Sequence, residues 1–113
     1  MSAPAPLDRR LTLEAPDDAP DGGGGAFRAW RPLGVHWAAV RALSAREGVE
    51  NGAEGARLSH RIEIRWAPPD SPARPNAAQR FREGARVFHI RAVAEADPAR
   101  RRLICWAEED RAR

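Results

Sequence analysis

VHWAAVRALSARE, residues Val35 to Glu47, is the stretch that decides how the rest of the chain can be arranged. From Val35 to Leu43 it is largely apolar, with β-branched and aromatic members, and this composition favours a strand. Ser44 and Glu47 then have the spacing of a capping box, in which each side chain binds a backbone N–H group at a helix start. The stretch therefore predicts a strand that passes directly into a short helix, with no loop between them.

The predicted helix cannot extend far beyond its capping box. Gly48 weakens it, and Asn51-Gly52 is a typical C-terminal stop. No apolar stripe marks a buried helical face between Ser44 and Arg57. We therefore expect this segment to be loosely attached to its own domain, and to dock elsewhere or to move.

Alternating apolar and polar residues predict short strands on both sides of the helix. Leu58–Trp66 alternates most regularly. In the first strand, Leu11 and Leu13 fall on the buried face and Glu14 on the wet face. This first strand is expected over Leu7–Leu13. The other expected strands are Ala26–Arg31, which breaks at Pro32, Gln79–Arg82, Arg86–Ala94 and Arg101–Glu108. Turns are expected at Glu83–Ala85 and Asp97–Arg100.

The segments between these strands are rich in proline, glycine and charge. Ala15–Gly25 ends in four glycines and is predicted to be the long flexible loop of a hairpin. Ala67–Asn76 holds four prolines, which indicates a stiff surface excursion. At the termini, Met1–Pro6 is expected to be a flexible arm and Glu109–Arg113 a frayed tail.

About six or seven short strands therefore follow one another with turns between them and without strand–helix–strand crossovers. This order favours a mainly β fold, an antiparallel sheet rolled into a small barrel with one short helix and long loops. At 113 residues the chain is predicted to form a single domain over residues 1–113. Alanine supplies much of its apolar content, so the four tryptophans are expected to be core or interface anchors.

The charge of the chain is nearly balanced. All nineteen basic residues are arginines, and they exceed the sixteen acidic residues by three. A GC-rich genome explains the missing lysines, but arginine is also suited to contacts with carboxylates and phosphates. The clusters around Arg80 and Arg82 and at Arg100-Arg101-Arg102 fit either a solvated strand edge or contact with a partner. A net charge of +3 does not by itself indicate a nucleic-acid-binding protein.

No set of residues in the sequence points to catalysis or to a cofactor. The three histidines, His36, His60 and His89, lack metal-site spacing, and Cys105 is the single cysteine. His60 is interpreted as a hydrogen-bonded core residue and Ser44 as a helix cap. The glycine run is not followed by the Gly-Lys-Ser/Thr of a phosphate-binding loop. We therefore predict no enzyme, no metal and no cofactor.

The order of these elements resembles a known family. Trp37-Ala38-Ala39-Val40 followed by Leu43-Ser44-Ala45-Arg46-Glu47 is similar to the core motif of the phage head–tail joining proteins, also called head-completion or stopper proteins. These occur in long-tailed phages and gene transfer agents. The early strand, the glycine-rich turn and the segments His60–Trp66 and Gly84–Ile90 fall in the same order, so the resemblance spans roughly Leu7 to Glu108.

The resemblance implies a small β-barrel with a mechanical role. Such a protein would form a sixfold or twelvefold ring at the neck, between the adaptor or portal ring on the head side and the tail terminator or tail tube on the other. It would close the DNA channel after packaging and dock the tail. Double-stranded DNA would pass without being tightly bound, and the lumen is expected to be mixed or acidic.

Two groups of residues are the candidate sites under this reading. The first is a gate or inter-subunit segment, at a position where the family carries an insertion, which comprises Ser44, Arg46, Glu47, Glu50, Asn51, Glu54 and Arg57. The second is a set of contacts with neighbouring rings, which comprises Arg80, Arg82, Arg100, Arg101 and Arg102.

Two alternatives remain open at this point. A small β-barrel with exposed arginine and tryptophan is also the composition of a nucleic-acid-binding module. An adaptor one layer nearer the portal is the other alternative, although such proteins are more helical. Neither a signal peptide nor a membrane span is predicted. The chain is therefore expected in the host cytoplasm before assembly and in the particle neck afterwards.

Overall fold

The structure, a computed structural model, describes residues 4–20, 26–51 and 57–110. Its six strands form a closed antiparallel barrel in the order β1-β2-β3-β6-β5-β4. The elements are β1 (Arg9–Pro20), β2 (Ala26–Ala42), α1 (Ala45–Asn51), β3 (His60–Arg65), β4 (Arg80–Glu83), β5 (Arg86–Glu95) and β6 (Arg102–Glu109). This confirms the predicted mainly β class, the barrel and the single short helix within the described residues.

Strand β2 runs along the whole molecule. Its 17 residues span roughly 56 Å at the usual rise of a strand, and the longest dimension of the molecule is 58 Å. The predicted break at Pro32 is wrong. Pro32 lies where β2 has β1 as its one neighbouring strand, since β3 pairs with residues 38–42 of β2, and a residue without an N–H group is tolerated there.

A β-bulge next to Pro32 keeps the long strand continuous. Leu13 pairs with Gly34 and Glu14 pairs with Pro32, so Leu33 is the extra residue. Gly34 has φ +156°, a conformation that residues with a side chain rarely adopt. Because of the bulge, Leu33 turns inward and packs against the core.

The first strand is longer than predicted. Ala15–Pro20, expected to be part of a flexible loop, pairs residue by residue with Ala26–Arg31. Within the described sheet, neither half of this pair has a second neighbour, because β4 pairs with residues 12–14 of β1. We call this two-stranded extension the ribbon. The rest of the predicted loop, residues 21–25, lies outside the described residues.

The core is made of leucine, isoleucine and phenylalanine. Its fully buried large side chains are Leu11, Leu13, Ile62, Ile64, Phe81, Phe88, Ile90, Leu103 and Cys105. The tryptophans, predicted to be core or interface anchors, are not among the fully buried side chains. Trp66 packs against the cluster from its edge, and Trp37 is exposed on the outer face of β2. Alternation along β3 and β6 is confirmed by their burial.

The two ends of the barrel carry different elements. Register places Ala42, at the end of β2, opposite His60, and α1 follows after two residues, which confirms the predicted direct connection. At the other end β1 and β2 continue into the ribbon. The segment 67–76 is a series of turns outside the sheet, as predicted, and Arg74 Nη1 donates a hydrogen bond to the Ala67 carbonyl.

The remaining predictions concern turns and termini. The two-residue turn at Gly84 and the turn from Asp97 to Arg100 are confirmed. The tail was expected to fray from Glu109, but Glu109 belongs to β6 and Asp110 N donates a hydrogen bond to the Val87 carbonyl. Ala5, in the expected flexible arm, accepts a hydrogen bond from Arg102 Nη1 at 2.7 Å. Residues 1–3 and 111–113 lie outside the described residues. In the described part of the chain, none of the helical structure is long and apolar enough to cross a bilayer.

Candidate interaction surfaces

The start of α1 is fixed by the predicted capping box. Glu47 N donates a hydrogen bond to Ser44 Oγ, and Ser44 N donates one to Glu47 Oε1, both at 3.1 Å. Arg41, on the outer face of β2, lies 3.2 Å from the Glu47 carboxylate. The backbone hydrogen bond from Ser44 is the main cause, and Arg41 a further cause, of the lowered pKa of Glu47. The helix therefore begins at a fixed place relative to β2.

Gly48 attaches α1 to the segment that precedes β3. A Cβ atom at Gly48 would lie 2.2 Å from the carbonyl oxygen of Leu58, so the helix backbone approaches that segment more closely than a side chain allows. Gly48 and Leu58 are both buried, and Leu43 N donates a hydrogen bond to the Ser59 carbonyl nearby. The absence of an apolar stripe in this segment had indicated a loose attachment to the barrel. The structure shows that α1 is attached by a close backbone contact between Gly48 and Leu58 instead of by apolar side chains.

Of the other predicted residues of this segment, Arg46, Glu50 and Arg57 are exposed. Arg46 Nε and Glu50 Oε1 form an ion pair one helical turn apart, at 2.9 Å. Asn51 is the last residue of the helix, and Arg57 is exposed. Glu54 lies outside the described residues. The segment thus presents charged side chains to solvent, which is what an inter-subunit contact of mixed charge requires.

At the α1 end of the barrel, inward-facing positions change from apolar to charged. Arg9 forms two hydrogen bonds with Glu83, at 2.6 and 2.9 Å, and Arg86 forms two with Glu109, at 2.7 and 3.1 Å. Arg86 also lies 4.0 Å from Glu83. His60 Nε2 is 3.9 Å from Glu109. We call these residues the mouth cluster, and it links all the strands except β2 across one opening of the barrel.

The mouth cluster shifts the proton affinities of its members. Hydrogen bonds from Arg9 and Arg86 lower the pKa values of Glu83 and Glu109 respectively. Burial lowers the pKa of His60, against the attraction of Glu109. The His60 ring packs edge-on against Phe88, with centroids 5.0 Å apart, and its Nδ1 lies 2.8 Å from Ser59 Oγ. The prediction of a hydrogen-bonded core histidine is therefore confirmed.

The five arginines proposed to contact neighbouring rings have different surroundings. Arg80 Nε and Arg82 Nε bind the two oxygens of Glu14 at 2.7 and 3.0 Å. Glu14 is 4% exposed, so its predicted placement on a wet face is wrong. Arg102 lies 3.6 Å from Glu63 and binds Ala5. Arg100 and Arg101 are exposed at the β5–β6 turn, where Arg100 has φ 57°.

Arginines also cover the faces of three of the four tryptophans. Arg80 lies 4.1 Å from the centroid of Trp30, Arg61 lies 5.7 Å from that of Trp106, and Arg100 and Arg74 lie 5.6 and 6.0 Å from that of Trp66. These are cation–π distances. Trp37 has no such partner among the described residues.

Trp37 and Val35 form an exposed apolar strip on the outer face of β2. Trp37 is 53% exposed and Val35 is 44% exposed. Arg10 lies opposite Trp37 on β1 and is exposed. The sequence did not reveal this strip, because the run from Val35 to Leu43 is apolar on both faces and does not show which face is buried.

A scan of family models identifies the chain. The model described as phage head completion protein matches residues 3–110, which is nearly the whole sequence. The chain belongs to the phage head completion protein family. The resemblance in the sequence is therefore confirmed, and the chain is a structural component of a phage-like particle.

Two solved structures are similar to this head completion protein. A chain from the virion of a native gene transfer agent particle is 42% identical, with a TM-score of 0.70, over 93% of this chain and 96% of that chain. A protein from Shigella flexneri 2a, known from its solution structure, is 30% identical, with a TM-score of 0.66, over 91% of this chain and 92% of that one. No curated protein matches.

The chemistry of this head completion protein is limited in the described residues. No group of three His, Cys, Asp or Glu side chains there could hold a metal ion. Cys105 is fully buried, and burial raises the pKa of its thiol to about 12. His36 is half-buried, and burial lowers its pKa. What the molecule presents to partners is therefore charge, backbone edges and the Trp37 strip.

Proposed function

We propose that this head completion protein forms a ring at the neck of a phage-like particle, between the adaptor or portal ring and the tail. Membership of the family is the observation that carries this proposal. The similarity to a chain of a gene transfer agent virion supports it. In this role the ring closes the DNA channel after packaging and provides the surface on which the tail terminator or tail tube docks.

The layout of the molecule supports contacts with two layers at once. β2 extends along the longest dimension, with the ribbon at one end of the barrel and α1 at the other. A subunit placed with β2 parallel to the ring axis would present the ribbon to one neighbouring layer and α1 to the next. Both elements are bound to the barrel at fixed positions, the ribbon by Glu14 with Arg80 and the helix by its capping box.

The segment from Ser44 to Arg57 is the proposed gate or clasp. Its ion pair between Arg46 and Glu50 is exposed, and exposed pairs of this kind contribute only about 0.3–0.5 kcal/mol. Such a pair exchanges its partners readily when a second charged surface arrives. Arg57, which has no partner among the described residues, is available for the same purpose.

The arginines are proposed to contact protein rather than to hold the DNA. Arg80, Arg82, Arg86 and Arg91 are each bound to a carboxylate of the same chain, so they offer little free positive charge to phosphates. We expect weak binding of purified protein to linear duplex DNA at 150 mM salt. A tight complex whose affinity falls steeply with salt would contradict a channel through which DNA slides.

A nucleic-acid-binding module is the weaker alternative, because its aromatic rings would have to be free to stack on bases. Single-stranded nucleic acid binds to such barrels by stacking bases on free aromatic faces. Here arginines already occupy faces of Trp30, Trp66 and Trp106.

Deletion of the gene tests the neck role. We expect particles with filled or leaky heads and no tails, visible by electron microscopy, and restoration of tailed particles when the gene is supplied on a plasmid. Normal tailed particles from the deletion strain would refute the proposal. An adaptor role nearer the portal would instead require that purified tailless heads also lack the ring next to the portal.

A further inference from the structure

Two apolar features of opposite shape lie on different parts of the barrel. The first is the protruding strip of Val35 and Trp37 on the outer face of β2. The second is a half-open pocket of about 220 Å³ beside α1, lined by Ala45, Gly48, Val49, Arg57 and Leu58. Val49, at 64% exposed, is the third large apolar side chain exposed in the described part of the chain. The three most exposed large apolar residues thus belong to one projection and one pocket.

The size and chemistry of the pocket suit an indole ring. A cavity of about 150 Å³ is enough to hold benzene, and this pocket is larger. Its floor is the close contact between Gly48 and Leu58, so no side chain at position 48 fills it. Arg57 on its rim has no partner among the described residues and can lie over an aromatic face as other arginines of this chain do.

The charges beside the two features are complementary. Arg10 lies opposite Trp37 and has no ion-pair partner among the described residues. Glu50 lies on α1 beside the pocket, with a side chain 59% exposed. Glu50 is paired with Arg46, but α1 carries two glutamates and one arginine. An approach that puts Trp37 into the pocket therefore brings Arg10 toward an excess of negative charge, which favours the correct orientation.

The projection and the pocket face different directions, so one molecule cannot join them. Arg41, on the same face of β2 as Trp37, reaches Glu47 on α1. Val49 follows Glu47 by two residues, which places it about 200° further around the helix. Two different patches that fit each other give a head-to-tail contact, which closes into a ring when the rotation from one subunit to the next closes and otherwise forms an open filament.

We propose that Trp37 of one copy inserts into the α1 pocket of the next copy, and that this is the contact between subunits of the ring. The inference rests on the proposed function, since it assigns the lateral contact of the same ring. Tryptophan is among the residues that dominate binding at interfaces. Within the described residues, Trp37 is the tryptophan that has no arginine over its ring.

Cross-linking in assembled particles tests the contact without removing either patch. Arg10→Cys places a thiol beside Trp37, and Ala45→Cys places one at the rim of the pocket, while native Cys105 is buried and unreactive. When both variants are co-expressed, we expect a short bismaleimide to join them to each other at least tenfold more than to themselves. A chain carrying both cysteines should give a ladder that ends at the ring size.

The matched control replaces Ala45→Cys by Ala85→Cys, an exposed position in the β4–β5 turn. Equal cross-linking of Arg10→Cys to position 85, or to itself, would overturn the proposed contact. Particles that carry the ring without the 10–45 cross-link would overturn it too and leave the neck role intact. The cross-link in purified protein, together with normal tailed particles from the deletion strain, would refute the neck role alone.

A substitution provides a second readout. Trp37→Ser should weaken self-association in particles or at high protein concentration at least tenfold, with an unchanged melting temperature, because the side chain is exposed in the monomer. Trp37→Phe should restore part of the association. Unchanged assembly of Trp37→Ser would contradict the proposal.

Discussion

Gly48 has a role that reverses the usual effect of glycine in a helix. Replacing an exposed helical glycine by alanine normally stabilises a protein by up to about 1 kcal/mol. Here the added Cβ would meet the Leu58 carbonyl oxygen at 2.2 Å, and backbone atoms cannot move aside cheaply. The position therefore selects glycine for space rather than for conformation.

We predict that Gly48→Ala lowers the free energy of unfolding by about 1–3 kcal/mol, the usual cost of overpacking. Urea denaturation measures it. Val49→Ala is the matched control, since Val49 is the exposed neighbour on the same helix and should change stability by less than about 0.5 kcal/mol. A stabilising Gly48→Ala would mean that α1 does not pack on Leu58.

Glu14 is the buried charge on which the base of the ribbon depends. Its two oxygens bind Arg80 and Arg82, and Arg80 in turn covers Trp30. We predict that Glu14→Gln lowers the free energy of unfolding by about 1–3 kcal/mol, less than the loss of a fully buried pair because Arg82 is half-exposed. Glu50→Gln, which breaks the exposed pair with Arg46, should cost under about 0.5 kcal/mol. Equal effects of the two variants would show that the burial of Glu14 does not increase its contribution to the free energy of unfolding.

Sequence reasoning at this scale succeeded where the signal is local. The capping box of Ser44 and Glu47 needs only a spacing of three residues, and the burial of His60 needs only the alternation around it. Glu14 could not be placed, because its burial depends on two arginines 66 and 68 residues away. The space needed at Gly48 was equally hidden, since Leu58 comes from another segment.

At the scale of elements, α1 is a seven-residue helix that could not persist by itself in water. Its stability comes from the capping box and from the Leu58 contact. We predict that Ser44→Ala lowers the free energy of unfolding by about 1 kcal/mol, a typical capping loss. The change should be concentrated in α1, where hydrogen exchange of residues 46–48 should become faster while that of β3 stays the same. Ser71→Ala, in the turns outside the sheet, is the control. Uniform acceleration in both elements would contradict a local role.

The elements were predicted in the correct order but not all in the correct length, and two predicted strands are joined in β2. Turn residues and alternation identify strands that lie within the barrel, as in β3, β4 and β6. β1 and β2 extend beyond the barrel, where Ala15–Pro20 has proline and aspartate instead of an apolar period, and where the partner strand decides the structure. In a sequence, proline indicates the end of a strand, although proline is compatible with a strand at the edge of a sheet.

For the whole molecule, the mouth cluster makes stability depend on pH. The pKa values of Glu83 and Glu109 are lowered in the folded state, so their contribution is present above about pH 4.5 and is lost as the pH falls through the lowered values. The pKa of His60 is also lowered from 6.5, so the unfolded chain binds more protons just below that value and stability starts to fall there.

We therefore predict a loss of stability in two stages on acidification, the first below about pH 6.5 and the second below about pH 4.5. Urea denaturation at a series of pH values measures both. His60→Gln should reduce the first stage, to which His36 also contributes because burial lowers its pKa too, and should leave the second. Glu83→Gln should reduce the second. A stability that stays constant between pH 7 and pH 5 would contradict the first stage.

The architecture of the whole molecule was the part best predicted from sequence. Hairpins between neighbouring strands, with no helical crossover, leave few arrangements apart from a rolled antiparallel sheet. The site was predicted less well, because exposure of Trp37 and the pocket beside α1 arise from where the sheet closes. The proposed ring contacts Arg80 and Arg102 are likewise bound within the chain, which no single stretch of sequence could indicate.

The extra residue at Leu33 has a consequence for how such proteins vary. Side chains of β2 before the bulge and after it are one step out of phase, because Leu33 has no partner on β1. Loss of that one codon would make the pairing regular, because Pro32 would directly precede Gly34, opposite Glu14 and Leu13, and every other pair of β1 and β2 would keep its side. A relative could in this way lose the bulge and one core side chain in a single genetic event, while the ribbon and the exposed strip keep their positions.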